Sequence, residues 1–540
     1  MAHDGSDHLT TEGDYLPLVR TAWWQRMRDD RSTYEITRWL VVRLLALVYL
    51  AAFVSLAVHL DPLLGSHGLL PVKEFMARER VALGGSALWR TPTLFWLTGA
   101  SDGVMRAACW VGVLLAAAAL LGATNALLQL ALWLIYGSFV HVGQIFFGYG
   151  WELQLLETGF LAVFLCPVRG VAPMPRTRAP RLLILLLRWL IFRVMMGSAL
   201  IKLRHDPCWI HLTCLDYHFE TQPNPGPLSW WLHRAPHSIH AGGVVFTLAV
   251  ELVVPWFAFG FRRSRHVAGV LLVLLQLFLI LSGNLSFLNW LTLVPALACF
   301  DDSAFIRATL PAAWRRRLRI TSALAKLEAH CRSLPPSAVQ ERAVGVLGVF
   351  VAILSIAPAV NLASCDQSMN RSFDPLALVN SYGAFGDVDR ARYEVILEGT
   401  MDAFPVEGAL WEQYELPCMP GDPRRRPCLV SPYHYRLDWQ FWFVGNGAAT
   451  RGETIDQEPW LVHLVWKLLE GGQPVSHLLT RDPFAGTRPR WLRASVWRYR
   501  FTEQRRDGWW QRERVSVFLP PVSIDDSDLH DYVQEQGWRD

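Results

Sequence analysis

The chain has 540 residues, of which 52% are hydrophobic and 18% charged, and a formal net charge of +4. This apolar load is too high for an ordinary soluble protein, and the near-neutral balance gives no footing for a nucleic-acid partner. The nine cysteines are scattered with no CxxC pair, so no zinc framework is expected, and no metal or cofactor is read from the residues.

The start, MAHDGSDHLTTEGDY, is polar and acidic, unlike a cleavable signal peptide. Residues 1–38 are expected to form a cytoplasmic segment, with the first apolar run as an uncleaved anchor. Nine apolar runs follow, starting near Trp39, Val104, Asn125, Leu153, Arg181, Gly243, Val267, Leu285 and Ala343. A helix needs roughly 20 residues to cross hydrocarbon. The third and fourth runs are joined by FGYG and the seventh and eighth by SGN, which suits antiparallel helical hairpins. The fourth and eighth are the weakest, because Glu152, Glu157 and Asn289 interrupt or flank them. With the N-terminus inside, Lys plus Arg number 20 in the inner flanking segments and 6 in the outer ones. Positive charge stays on the side of insertion, so the expectation is nine spans over 39–362 and an extracytoplasmic C-terminus.

The fourth, fifth and sixth runs carry Glu152, Glu157, Arg193, Lys202 and Glu251. Ionisable groups in hydrocarbon are costly and face a bundle interior or a watery cavity. This polar cluster is expected either to lock helices together as ion pairs or to line a ligand site.

Between the fifth and sixth runs lies CWIHLTCLDYHFETQPNPGPLSWWLH (208–233), rich in reactive and aromatic groups. Cys208, His211, Cys214 and His218 have a metal-like spacing. On a helix, however, they form a stripe that cannot converge on one tetrahedral ion. Six helical residues would hold Cys208 and Cys214 about 9 Å apart, beyond the roughly 7 Å reach of a disulfide. The two can pair only where the loop is not a regular helix.

Residues 363–540 lose hydrophobicity and gain strand-like alternation in RYEVILEGT, WEQYELPC, RYRFTEQ and RERVSVFLPPV. One amphipathic helix is expected at EPWLVHLVWKLLEGG, stopped by its glycine pair. Cys418 and Cys428 bracket the turn-prone MPGDPRRRP and are expected to be bonded; Cys365 is left over. Asn284 in NLS and Asn370 in NRS match the glycosylation pattern. In SPYHYRLDWQFWF, an extended backbone would put Tyr433, Tyr435, Leu437, Trp439 and Phe441 on one face. The other would carry His434, Arg436, Asp438, Gln440 and Trp442, with Arg436 and Asp438 as a structural pair. The fold class expected is a polytopic α-helical membrane protein of about nine spans with a C-terminal β-rich extracytoplasmic domain.

Several blocks resemble the lipase maturation factor family: GSHGLLPV (65–72), YGWELQLLETGFLAVFLCP (149–167), the stretch 188–233, LVNSYGAFGDVDRARYEVILEGT (378–400) and YELPCMPGDPRRRPCLVSPYHYRLDWQFWF (414–443). The resemblance covers nearly the whole chain. It implies a membrane-embedded factor assisting secreted client proteins such as lipases to fold, assemble or leave the endoplasmic reticulum. The partners implied are membrane lipid and those clients, and the oligomeric state is left open. It further implies an endoplasmic reticulum membrane location, or the inner or plasma membrane in a bacterium. Arg436, Asp438, Trp439 and Trp442 fall in its matching block and become client-binding candidates. The membrane half is also distantly similar to vitamin K-dependent γ-carboxylase. That implies an alternative, an enzyme acting on a lipid or quinone-like ligand, with Lys202 as the catalytic candidate.

Overall fold

The computed structural model describes residues 32–308, 321–406, 408–504 and 507–538. Most of the N-terminal segment, 1–31, and part of the loop before the ninth run lie outside the described residues. All nine apolar runs are helical: α1 (Glu35–Leu64), α2 (Asp102–Leu121), α3 (Ala126–Val142), α4 (Gly150–Leu165), α5 (Arg181–His205), α6 (His237–Leu252), α7 (Arg262–Ser282), α8 (Leu288–Ala296) and α9 (Ala338–Leu354). Among the described residues, six are long and apolar enough to cross a membrane once α6 is extended to Phe259 and α9 to Ala363; α3, α4 and α8 are shorter. Side-chain caps start several of them. Asn125 accepts from the Leu127 and Leu128 amides at the head of α3, and Ser337 accepts from Gln340 at the head of α9. α5 is enclosed on most sides, while α2 and α9 leave most of their apolar surface open.

The helix ends gather at two poles. At the first, the Asp302 carboxylate accepts from the Glu35 and Ile36 amides at the start of α1, at 3.0 and 2.8 Å. Arg38 reaches the carbonyl of Thr177 in the α4–α5 loop. Arg43 reaches Gly122 in the α2–α3 turn and Pro173. Asp301, just past α8, holds Arg262 and Arg265 at the start of α7. The second pole comprises the far end of α1, the α3–α4 turn, the α5–α6 loop and the α7–α8 turn. The chain after α9 packs on this pole.

That C-terminal part contains a short ladder of β1 (Arg371–Ser372) with β2 (Asn380–Ser381). It also contains an antiparallel sheet in the order β4-β3-β5-β6, from β3 (Arg392–Thr400), β4 (Glu412–Gln413), β5 (Trp491–Phe501) and β6 (Trp510–Val522). Helices α10 (Arg436–Thr450), α11 (Pro459–Glu470) and α12 (Ser527–Glu535) complete it. α11 ends as expected, on Gly471 in the left-handed conformation (φ 75°). α10 lies directly on β3: a Cβ at Gly445 would sit 2.4 Å from the Tyr393 carbonyl oxygen.

Three expectations are corrected here. The domain mixes helices with its sheet rather than being simply β-rich. SPYHYRLDWQFWF is not an extended strand, because it turns into α10 at Arg436. Of WEQYELPC, only Glu412 and Gln413 pair in the sheet.

Candidate functional site

The expected polar cluster resolves into three separate buried pairs, and two of them tie the bundle to the C-terminal domain. Glu152, in the first turn of α4, meets Arg436 of α10 at 2.8 Å, both fully buried. Tyr136 donates to the same carboxylate, and Arg436 also donates to the Phe146 carbonyl (2.7 Å) and lies over the Phe147 ring. Glu157 of α4 pairs with Arg193 of α5. The Asn380 amide (3.0 Å) and the Tyr382 hydroxyl (2.8 Å) both donate to Glu157. Gly197 permits this close approach, since a Cβ there would fall 2.1 Å from the Tyr382 carbonyl oxygen. The third pair is Lys202 with Glu251, Nζ lying 2.5 and 2.6 Å from the two carboxylate oxygens.

The loop between α5 and α6 is not a regular helix around its cysteines: Leu212 has φ 62°, and Cys208 and Cys214 form a disulfide with Cα atoms 4.9 Å apart. Their thiolates are therefore consumed rather than offered to a metal. Cys418 and Cys428 form the second disulfide, while Cys365 is free and exposed. Asn284, read as a glycosylation candidate, is buried. Its amide donates to the Cys428 carbonyl and its oxygen accepts from Val430 and Ser431. It joins the α7–α8 turn to the disulfide loop and has no surface for a glycan. Asn370 is exposed.

Arg436 and Asp438 do not pair with each other. Asp438 is buried in the first turn of α10 and accepts from the Cys418 and Met419 amides at 2.5 and 3.0 Å. Burial pushes its carboxyl up to about 7, against the opposing pull of those two amides. Trp439 is buried against Trp151. Trp442 is partly exposed and donates to the Thr221 carbonyl at 2.8 Å.

Sequence reasoning missed other members of the same seam. Arg392 of β3 donates to the Glu220 and Pro223 carbonyls and pairs with Glu394, whose carboxyl burial raises to about 6. Glu220 accepts from the Phe501 amide at 2.6 Å. Both residues look like ordinary surface charges in a linear reading. A cavity of about 320 Å³ opens in the seam, between the start of α4, the middle of α5, the segment 369–387 and α10. A smaller chamber of about 70 Å³ beside Lys202 and Glu251 shares Val194, Ser198, Leu288, Ala384 and Phe385 with it.

These features define a class: a helical membrane protein with a strand-containing C-terminal domain clamped onto one end of its bundle. Residues 36–307 match the family model of the lipase maturation factor transmembrane domain, and residues 378–520 that of the lipase maturation factor C-terminal domain. The chain belongs to the lipase maturation factor family. It is 41% identical to lipase maturation factor 1 of Mus musculus, over 95% of this chain and 91% of that protein. It is 42% identical to lipase maturation factor 1 of Bos taurus, over 94% and 92%. Identity to lipase maturation factor 2 of Homo sapiens is 30%, over 94% and 85%. No solved structure matches.

Proposed function

We propose that this chain is a membrane-embedded maturation factor that assists secreted proteins, lipases foremost, in folding, assembly or export. The observation that carries the reading is similarity along nearly the whole chain to proteins named for lipase maturation. In this reading α1–α9 all cross the membrane. Residues 1–38 are cytoplasmic, 39–362 form the membrane domain and 363–540 the extracytoplasmic domain. The membrane is that of the endoplasmic reticulum by family, or the plasma membrane in a bacterium. Three observations support this arrangement: the alternation of helix ends between two poles, the inward excess of Lys and Arg, and the location of both disulfides at the second pole, since disulfides persist in oxidising compartments. Arg436, Asp438 and Trp439 serve from the interior, holding the outer domain in place. Trp442 stands at the seam where a client can reach it. Lys202 is committed to both oxygens of Glu251, which does not favour the enzyme alternative.

The test is complementation. Secretory cells lacking their own lipase maturation factor 1 are given this chain and a secreted lipase. Secreted lipase activity should rise above that of empty-vector cells. No rise, with the chain present at normal abundance in the membrane, would sink the reading.

A further inference from the structure

A groove of about 300 Å³ runs along the flank of α3, away from the buried pairs described above. Leu134, Gly137, Ser138 and His141 line it from α3, at the i, i+3, i+4 and i+7 spacing of one helix face. The facing wall comes from the loop between α1 and α2. Its Leu94 amide donates to the Ser138 hydroxyl oxygen at 2.9 Å, and its Phe95 ring meets Phe139 edge-on, with centroids 5.0 Å apart. Ser138 lies four residues, about 6 Å, before the end of α3 at the second pole. The loop therefore dips alongside the helix, below that end.

The chemistry of the groove changes along its length. Its deeper part is apolar, with Leu134 of α3 facing Leu156 of α4. Leu97 and Leu134, which line it, are 85 and 39% exposed, so the groove opens sideways through apolar edges. His141 stands seven residues, about 10 Å, beyond Leu134 along the helix. It is only half-buried. Its ring nitrogens have no hydrogen-bond partner among the described residues and stay accessible, so an occupant can reach them. Beside the groove, Arg90 lies between the lining residues Leu88 and Pro92, exposed and without an ion pair among the described residues. A sideways opening on a helix that crosses a bilayer meets lipid. Polar groups on such a flank need partners there.

We infer that this groove holds one phospholipid of the leaflet at the second pole. Its acyl chain lies along Leu134 and Leu156. An ester carbonyl accepts from the His141 imidazole, and the phosphate sits beside the Arg90 guanidinium. The order of apolar wall, lone imidazole and free guanidinium is the order of chain, ester and phosphate in that ligand. The inference rests on α3 crossing the membrane, one part of the reading above, and not on lipase maturation.

The experiment reconstitutes the full chain in phosphatidylcholine vesicles, extracts it in mild detergent, washes it and weighs it by native mass spectrometry. One phospholipid should stay on each chain. His141→Phe keeps a ring without nitrogens and should cut the retained fraction by about fivefold, the effect of one hydrogen bond. Leu134→Trp fills the apolar part and should cut it by about tenfold. Leu114→Trp, on the exposed flank of α2, should retain lipid as the parent does. With diacylglycerol added to the vesicles, the parent should still select the phospholipid, and Arg90→Gln should lose that selection. A parent that retains no lipid overturns the inference, as do variants at His141 and Leu134 that retain as much as the parent. An Arg90→Gln chain that selects like the parent overturns it as well. Equal loss in Leu114→Trp also overturns it, since the lipid is then a general coat of the flank. Should His141→Phe not stay monodisperse, Leu134→Trp and Arg90→Gln carry the test. Complementation by the unmodified chain decides the maturation reading separately.

Discussion

Arg436 is the residue on which the clamp depends most. Its guanidinium is fully buried and faces Glu152 across the junction of bundle and C-terminal domain. Removing one partner of such a pair leaves a bare buried charge and costs about 3–5 kcal/mol, whereas replacing both by uncharged groups of similar volume is far milder. Arg436→Ala should therefore lower the thermal midpoint of the detergent-solubilised protein sharply, and Glu152→Gln with Arg436→Met should recover most of the loss. A double variant no better than the single would refute the pairing. Asp438 gives a prediction in pH. Its folded carboxyl titrates near 7, well above the usual range near 4. Between those values the folded chain holds a proton that the unfolded chain has lost. Stability therefore falls as pH rises through that window, by up to about 1.4 kcal/mol per pH unit, and levels off above about 7. Asp438→Asn keeps an oxygen for the Cys418 and Met419 amides and removes the proton. Melting at pH 5, 6, 7 and 8 should give a flatter profile for the variant than for the parent; parallel profiles would contradict the assignment.

At the scale of elements, α10 explains why part of the chain misleads. Its first six residues, Arg436 to Phe441, are all buried, because the helix is wedged between one end of the bundle and β3. A helix covered on both sides has no polar stripe, so the 3.6-residue period disappears, and its aromatic content then imitates a strand. The nine apolar runs, by contrast, announce themselves by length, and α11 by one-sided periodicity and its glycine stop. The disulfides divide in the same way. Cys418 and Cys428 flank a turn whose composition brings its ends together, while pairing of Cys208 with Cys214 needs the left-handed Leu212, which the local residue pattern does not foretell. Closing each of these loops is worth about 2–3 kcal/mol through the unfolded chain. Replacing Cys418 and Cys428 together by Ser should cost about that much. It should also loosen the loop that Asn284 anchors, seen as faster proteolysis between residues 419 and 430 in membranes. Unchanged proteolysis and stability would show that Asn284 alone holds the loop.

At the scale of the whole molecule, the sequence-level picture of a membrane domain with a separate tail is incomplete. Ion pairs and hydrogen bonds from residues 380, 382, 392, 436 and 501 run into helices and loops of the bundle. None of these long-range pairings is legible in a chain read one element at a time: Glu152 and Glu157 stand out as intramembrane carboxylates, but Arg392 reads as an ordinary surface charge, Arg436 as a partner for Asp438, and the Asn380, Tyr382 and Phe501 donors carry no signal. The coupling has a consequence for truncation. Cutting the chain after Ala363 removes Arg436, and with it the partner of Glu152. It also removes the Asn380 and Tyr382 donors that share Glu157 with Arg193. The bundle is left with one uncompensated buried carboxylate and one under-bonded pair, a loss of at least about 3–5 kcal/mol. The truncated membrane domain should accordingly accumulate poorly, although α1–α9 are intact. Glu152→Gln in the truncated chain removes the stranded charge and should raise its abundance severalfold, whereas the same substitution in the full chain strands Arg436 and should lower abundance. Quantitative blotting of the four chains in membranes makes the comparison. If Glu152→Gln acts in the same direction in both lengths, the C-terminal domain is not what neutralises Glu152, and the clamp would have to be abandoned.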